Sequence, residues 1–133
     1  MYAQASEPAW EPFAERFGRY FQREPFEVAA LTGDDLARML SRMRGSTSRG
    51  AEGWSVGELK RLPVPLLDDL ASLFRAIETT GVWPSALQEG LVSLISKGEG
   101  ARPCDLRPIT VMSAVYRLWA LCRLQDLMLW QER

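Results

Sequence analysis

Two short apolar runs, separated by a segment rich in glycine and proline, occupy residues 91–111. The first run ends beside Lys97, and the second begins at Arg107 with the residues RPITV. Short apolar runs bounded by turn-forming residues are typical of paired β-strands. The pattern predicts an antiparallel hairpin with one basic side chain at the loop end of each strand.

Two basic side chains on the arms of a hairpin form a simple site for a polyphosphate. A guanidinium binds two phosphate oxygens in a fixed fork, and an ammonium acts as a movable point charge. Residues 97–123 contain five basic and two acidic side chains, although the whole chain has a net charge of −1. This local excess favours an anionic ligand. The same pattern also fits an ordinary hairpin with solvated charges.

The residue types that are absent exclude several functions. The chain contains no histidine, so it cannot form a Ser-His-Asp or Cys-His nucleophile or a histidine-containing zinc site. Cys104 and Cys122 are too few for a disulfide framework, and they suit a reducing compartment. The sequence shows neither a signal peptide nor an apolar run of about 18 residues. These features predict a soluble, intracellular protein, in the nucleus or the cytoplasm.

Helical spacing of apolar residues dominates outside the hairpin. Residues 7–23 carry four aromatic side chains at this spacing, which we interpret as a stripe facing the core. Residues 113–131 predict a final helix. A leucine-rich helix is expected to begin near Pro65 and to end at Gly81. Its predicted buried face comprises Leu66, Leu70, Leu73, Phe74 and Ile77.

Two further helices are predicted by their N-terminal signals. Thr32 with Asp35, and Ser55 with Glu58, have the spacing of a capping box. The 133 residues, 47% of them hydrophobic, suffice for one domain or for one subdomain of a larger enzyme. We therefore predict an α+β fold, mainly helical, with one antiparallel β-hairpin.

Four segments give this chain a resemblance to a known family. Their order and spacing are similar to those of the N-terminal fingers region of reverse transcriptases, in particular those of non-LTR (LINE-type) retrotransposons. The segments are RGAEGWSVGELK (49–60), TGVWP (80–84), LVSLISK (91–97) and RPITVMSAVYRLWA (107–120). The resemblance implies a fingers subdomain of a polymerase-type right hand, truncated before the palm. Residues 1–31 would be an N-terminal helical extension, and residues 32–133 a partial reverse transcriptase domain.

The resemblance also implies roles for individual residues. The strand-end lysine and the arginine of Arg-Pro-Ile contact the triphosphate of the incoming nucleotide in that family, and these positions are Lys97 and Arg107 here. Weaker expectations of contact with the template concern Pro108, Ile109, Arg117 and Arg123. Two positions depart from the family pattern. Glu52 replaces the aspartate of Gly-x-Asp-Gly, and Ser96 replaces the proline of Ile-Pro-Lys.

Catalysis in that family uses carboxylates that bind Mg²⁺ on a palm strand and in a Tyr/Phe-x-Asp-Asp turn. Neither motif occurs within this sequence. The pairs Asp34–Asp35 and Asp68–Asp69 lie on predicted helices, where adjacent side chains point about 100° apart. We therefore predict no catalytic residue and no metal ligand in this chain, which would be inactive alone. The complete enzyme would supply Mg²⁺, the palm and the thumb, and would bind a template–primer and a deoxynucleoside triphosphate.

Two alternatives remain open from the sequence. One is a non-enzymatic helical module that binds nucleic acid or a protein partner. The other is the remnant of a decayed retroelement, with no present activity.

Overall fold

The computed structural model describes residues 10–20, 27–98, 102 and 105–131. Within these residues the fold is mixed, with helices predominating and one antiparallel two-stranded sheet. This confirms the predicted combination of helices with a single hairpin. The elements are α1 (Trp10–Phe17, followed by a 3₁₀ turn, Gly18–Tyr20), α2 (Gly33–Arg42), α3 (Val56–Leu59), α4 (Val64–Thr80), α5 (Ser85–Gln88), β1 (Leu91–Ser96), β2 (Leu106–Val111) and α6 (Ala114–Gln131).

Both predicted capping boxes are confirmed. Before α2, the Asp35 amide donates to the Thr32 hydroxyl at 3.2 Å, and the Thr32 amide donates to the Asp35 carboxylate at 3.1 Å. Ser55 and Glu58 repeat the arrangement before α3, at 3.2 and 2.8 Å. Each box satisfies amide groups that have no partner within the helix, so short local sequences fix where these helices begin.

The predicted end of α4 is also confirmed. Gly81 adopts a left-handed conformation with φ of +71°, and its amide donates to the Ile77 carbonyl at 2.7 Å. A residue without a Cβ adopts this conformation at little cost, so glycine is the usual residue after a helix.

The core lies between α2, α4 and α6, with α3 adding two side chains. Phe74 of α4, Leu36 of α2 and Leu118 of α6 are completely buried. The other buried apolar residues are Met39, Leu40, Val56, Leu59, Leu67, Ala71, Ile77, Ala114, Val115 and Cys122.

The predicted buried face of α4 was wrong at two positions. Leu66 and Leu73 are exposed, whereas Leu67 and Ala71 face the core. The inward stripe includes a small alanine that a search for large apolar residues passes over. Leucines also lie on both sides of this stripe, so the sequence alone does not show which face of α4 is buried.

The prediction that the aromatic stripe of the first helix faces the core was wrong in α1. Trp10, Phe13, Phe17 and Tyr20 are all exposed. Phe13 packs on its neighbours, with ring centroids 5.5 Å from Trp10 and 4.9 Å from Phe17. The spacing predicted a helix correctly, but the stripe packs on itself and leaves the core to α2, α4 and α6. Residues 7–9 and 21–23 of the predicted helix lie outside the described residues.

The hairpin pairs six residues of each strand, from Leu91 opposite Val111 to Ser96 opposite Leu106. Every residue of β1 is exposed, so the ribbon leaves the core with both faces accessible. The strand β2 reaches α6 after only two residues, and the base of the ribbon is therefore fixed to the core through α6.

The longest helix, α6, has 18 residues. In the described part of the chain, no helix combines the length and the apolar character that crossing a bilayer requires.

Candidate functional site

The tip of the hairpin brings the two predicted triphosphate ligands to the same face of the ribbon. The Lys97 amide donates to the Asp105 carbonyl at 2.7 Å, which extends the pairing one residue beyond β1. Arg107 lies opposite Ile95, two residues further along. Opposed residues of an antiparallel pair point to the same face, as do residues two apart on one strand. Lys97 and Arg107 are therefore diagonal neighbours, with their Cα atoms about 7–8 Å apart.

Among the described residues of the tip, one carboxylate lies beside the basic side chains. Asp105 is opposite Lys97 and forms an ion pair with Arg102 at 3.1 Å. The Arg102 side chain is 80% exposed, and ion pairs of this kind contribute little to stability. Lys97 and Arg107 are exposed as well. The described residues of the tip thus present three basic side chains and the partly exposed carboxylate of Asp105, an arrangement that attracts a polyanion.

Ser96 stands where reverse transcriptases commonly have proline, and it imposes a different local constraint. Its hydroxyl accepts a hydrogen bond from the Gly98 amide at 3.2 Å and donates to the Gly98 carbonyl. A serine that bonds the backbone two residues ahead stabilises a turn. The backbone on both sides of Lys97 is therefore held by hydrogen bonds, where proline would act by restricting φ.

Pro108 and Ile109 lie on β2 beside Arg107. Lys97 and Asp105 are hydrogen-bonded, and hydrogen-bonded and non-hydrogen-bonded pairs alternate along an antiparallel ladder. Pro108, opposite Leu94, therefore falls in a non-hydrogen-bonded pair, where its missing N–H costs no bond within the hairpin. Ile109 shares a face with Arg107 and is 45% exposed, so this face continues from the charged tip into an apolar strip.

The loop before Trp54 is tied to the start of α6. The Ser113 hydroxyl accepts hydrogen bonds from the amides of Val115 and Tyr116 at 3.1 and 3.2 Å, which caps the helix. The Glu52 carboxylate accepts a hydrogen bond from the Ala114 amide. A negative charge at a helix N-terminus is favourable. The Glu52 side chain thus joins the loop to the base of the ribbon.

Sequence reasoning missed the Glu52 contact because 62 residues separate its two partners along the chain. The Ser113 cap had a local signal, a serine directly before the apolar pattern of α6. No comparable pattern indicates a carboxylate that arrives from a distant loop.

Arg117 lies beside a cleft at the base of the hairpin. Its Nη2 donates to the Ser48 carbonyl at 2.7 Å. Among the described residues, its Nε and the Thr47 hydroxyl are buried without a hydrogen-bond partner. The cleft has a volume of about 430 Å³ and is lined by Ser46, Thr47, Ser48, Thr110, Val111, Met112 and Arg117. One edge of the guanidinium thus binds the loop, and contact between Arg117 and a template stays a prediction.

Arg123 lies away from the hairpin, in a network of ion pairs. Its Nε and Nη2 each donate to the Glu78 carboxylate at 2.6 Å, and its Nη1 donates to Asp126 at 2.7 Å. The Arg123 side chain is only 14% exposed. Hydrogen bonding from Arg123 lowers the pKa of Glu78 below its ordinary value. This guanidinium holds α4 and α6 together, and its contact with a template stays a prediction.

The acidic pairs have structural partners of their own. Asp35 belongs to the capping box of α2, and Asp68 accepts a hydrogen bond from the Gly33 amide at 2.8 Å. No three acidic or cysteine side chains of the described residues come together as a group that could hold a metal ion. The carboxylates in this part of the chain do not fit a pair of Mg²⁺ ions, and no metal-dependent step is assigned to them.

No model of a known protein family matches the chain. No curated protein matches it with significant similarity either. The resemblance therefore depends on the four segments alone, and the structure shows how these segments meet. Trp83 of TGVWP packs edge-on against Trp119, with centroids 5.1 Å apart. Glu52 of the first segment binds Ala114, and β2 pairs with β1. All four segments thus join at α6 and the hairpin.

Proposed function

We propose that this chain is the fingers part of an RNA-directed DNA polymerase of the non-LTR retrotransposon type, and that its hairpin tip binds the triphosphate of an incoming nucleotide. The observation that carries the proposal is the position of Lys97 and Arg107 on one face of the ribbon. If these two side chains lay on opposite faces, they could not bind one polyphosphate.

The chemistry of nucleotide addition explains why such a tip is useful. Phosphoryl transfer depends mainly on positioning and on neutralising charge at the phosphates. Arg107 offers a planar fork of donors, and Lys97 offers a compact charge on a longer arm. Together they can bind neighbouring phosphates of one triphosphate while the apolar strip beside Ile109 faces the rest of the nucleotide or the template.

The contribution of this chain is binding and orientation. The carboxylates that hold Mg²⁺ in this class of polymerase would come from a palm, and the described residues offer no substitute for them. We therefore expect this polypeptide alone to bind a triphosphate without extending a primer.

Replacing Arg107 with alanine should weaken triphosphate binding at least about tenfold, equivalent to about 1.4 kcal/mol. The variant loses a two-pronged contact that lysine cannot replace. The measurement is a titration of the ¹⁵N-labelled chain with dTTP, followed by the amide signals of the hairpin. The wild-type chain should bind dTTP more tightly than dTMP, and binding should weaken as salt is added.

The matched control is Arg75→Ala, which removes the same charge from an exposed position of α4. This variant should bind dTTP like the wild type. If the Arg107→Ala and Arg75→Ala variants bound dTTP with equal affinity, the loss of affinity would reflect net charge alone, which would rule out a triphosphate site at the tip.

A non-enzymatic binding module is the second candidate, and exposed apolar surface on α6 favours it. Leu124, Leu127, Met128, Leu129 and Trp130 are all exposed, as expected of a helix that meets a partner. Such a module has no reason to prefer a triphosphate to a monophosphate. Coding sequence downstream of Arg133 separates the candidates further, because the polymerase proposal requires an aspartate-bearing strand and a Tyr/Phe-x-Asp-Asp turn.

A further inference from the structure

Among the described residues, no strand pairs with the outer edge of β1. In the ladder with β2, the odd-numbered residues of β1 are hydrogen-bonded, because Lys97 is bonded to Asp105 and such pairs alternate. The N–H and C=O groups of Val92 and Leu94 therefore point away from β2. Proteins usually protect such an edge with charge, proline or a covering element. The strand LVSLIS contains neither charge nor proline, and all six residues are exposed.

The two edges of the hairpin differ. On β2, Pro108 removes an outward N–H group, and the neighbouring Arg107 adds charge. These are the features that discourage pairing at an edge. The hairpin is thus protected on the β2 side and open on the β1 side.

We infer that β1 pairs antiparallel with β1 of a second copy of this chain, forming a four-stranded sheet in the order β2-β1-β1-β2. The two-fold axis passes through Ser93, so that Val92 lies opposite Leu94 of the second copy. The outward groups of both strands then meet in hydrogen-bonded pairs. A two-stranded ribbon with both faces exposed is marginally stable, whereas a sheet of three or more strands is more stable.

Charge complementarity selects this register. Glu89, which precedes β1 in extended conformation, lies opposite Lys97 of the second copy when the axis passes through Ser93. The symmetric registers centred on Val92 or Leu94 leave Glu89 without that partner. Opposite charges directly across an antiparallel pair are stabilising. The same register places Leu91 opposite Ile95 of the second copy and Ser93 opposite itself, so that side chains of the same kind meet from Leu91 to Ile95.

The β1 edge is complementary to itself, as a two-fold symmetric interface requires, because the same surface of each copy then contacts the other. On the other face of the new sheet, Val92 and Leu94 of both copies form a central apolar group. These two side chains are 61% and 62% exposed in the single chain. Pairing would remove part of that surface from water. The register shares Lys97 with the proposed function, but the tests of the inference do not, because Ser93 and Leu94 lie outside the charged tip.

The first test is the mass of the full chain in solution, measured by sedimentation over a wide range of concentrations. The wild type should shift with concentration from 15.0 kDa to twice that mass. Leu94→Pro should remain monomeric, because the lost N–H points outward and takes no part in the bonds to β2. Leu94→Ala, which keeps the N–H, should still dimerise. A monomeric wild type, or a dimeric Leu94→Pro variant, would overturn the inference.

The second test works even if the proline variant fails to fold. In a Cys104→Ser background, Ser93→Cys should form a covalent dimer on mild oxidation. The two Cα atoms would be about 4.5 Å apart in a non-hydrogen-bonded pair, within the range of a disulfide. Ser72→Cys, exposed on α4, is the control. Burial raises the pKa of Cys122 to about 11, so this thiol contributes little in either variant. Equal crosslinking at positions 93 and 72 would exclude the proposed pairing.

Discussion

Replacing Gly50 with alanine should lower the free energy of unfolding by about 3 kcal/mol. Gly50 is buried against the start of α6. A Cβ atom there would lie 2.7 Å from the Cα and 2.9 Å from the amide nitrogen of Ser113. These are backbone atoms, which cannot rotate away as a side chain can. The added methyl group would also meet the Glu52 carboxylate and push it away from the Ala114 amide.

The measurement is urea denaturation, with the slope of the transition checked for constancy. Gly57→Ala is the matched control, since a Cβ at Gly57 comes no closer than 3.5 Å to its nearest neighbour, the Gly45 carbonyl. Gly57 lies within α3, where alanine is preferred by roughly 0.5–1 kcal/mol. The control should therefore be as stable as the wild type or slightly more so. Equal stability of the Gly50→Ala variant would show that the loop is not held against α6.

Replacing Arg123 with methionine should cost about 2 kcal/mol at neutral pH, because Glu78 and Asp126 lose a charged donor that is largely shielded from solvent. The loss should depend on pH. Bonding to Arg123 lowers the pKa of Glu78 from its ordinary value of 4.5, so the stabilisation is fully present above that value. It declines as the pH falls below 4.5 through the pKa of the folded state.

The difference between the wild type and Arg123→Met should therefore shrink under acid conditions. Unfolding by urea at neutral pH and at several values below 4.5 measures this change. Arg38→Met is the control, because Arg38 is 61% exposed in a pair with Asp35, and exposed pairs contribute about 0–1 kcal/mol. A loss in the Arg123 variant no greater than in this control would contradict the structural role of the network.

The features that could be predicted from the sequence are those that depend on neighbouring residues. The capping pairs at Thr32 and Ser55, the terminating Gly81 and the alternating hairpin are each encoded within a few positions. The register of the hairpin also assigns Lys97 and Arg107 to one face. Their separation follows from the pairing register, which the runs around Lys97 and Arg107 indicate only approximately.

The features that could not be predicted depend on which surface an element meets. The aromatic stripe of α1 has the spacing of a buried helix, yet Trp10 and its neighbours pack on one another. Leu73 looks as suitable for the core as Ala71 until the position of α2 is known. Arg117 and Arg123 occupy similar positions in the sequence pattern, but one binds a loop carbonyl beside a cleft and the other binds two carboxylates. A single sequence carries no information about such partners.

The attachment of the ribbon has a mechanical consequence. Its six residue pairs give it a length of roughly 20 Å at about 3.3 Å per residue. One arm continues through Met112 and Ser113 into a helix whose first turn is clamped by Glu52. A rotation of the ribbon at this base would displace the far end, with Lys97 and Arg107, by an amount that grows with the length of the ribbon. Glu52 therefore lies where a small change would have its largest effect on the tip.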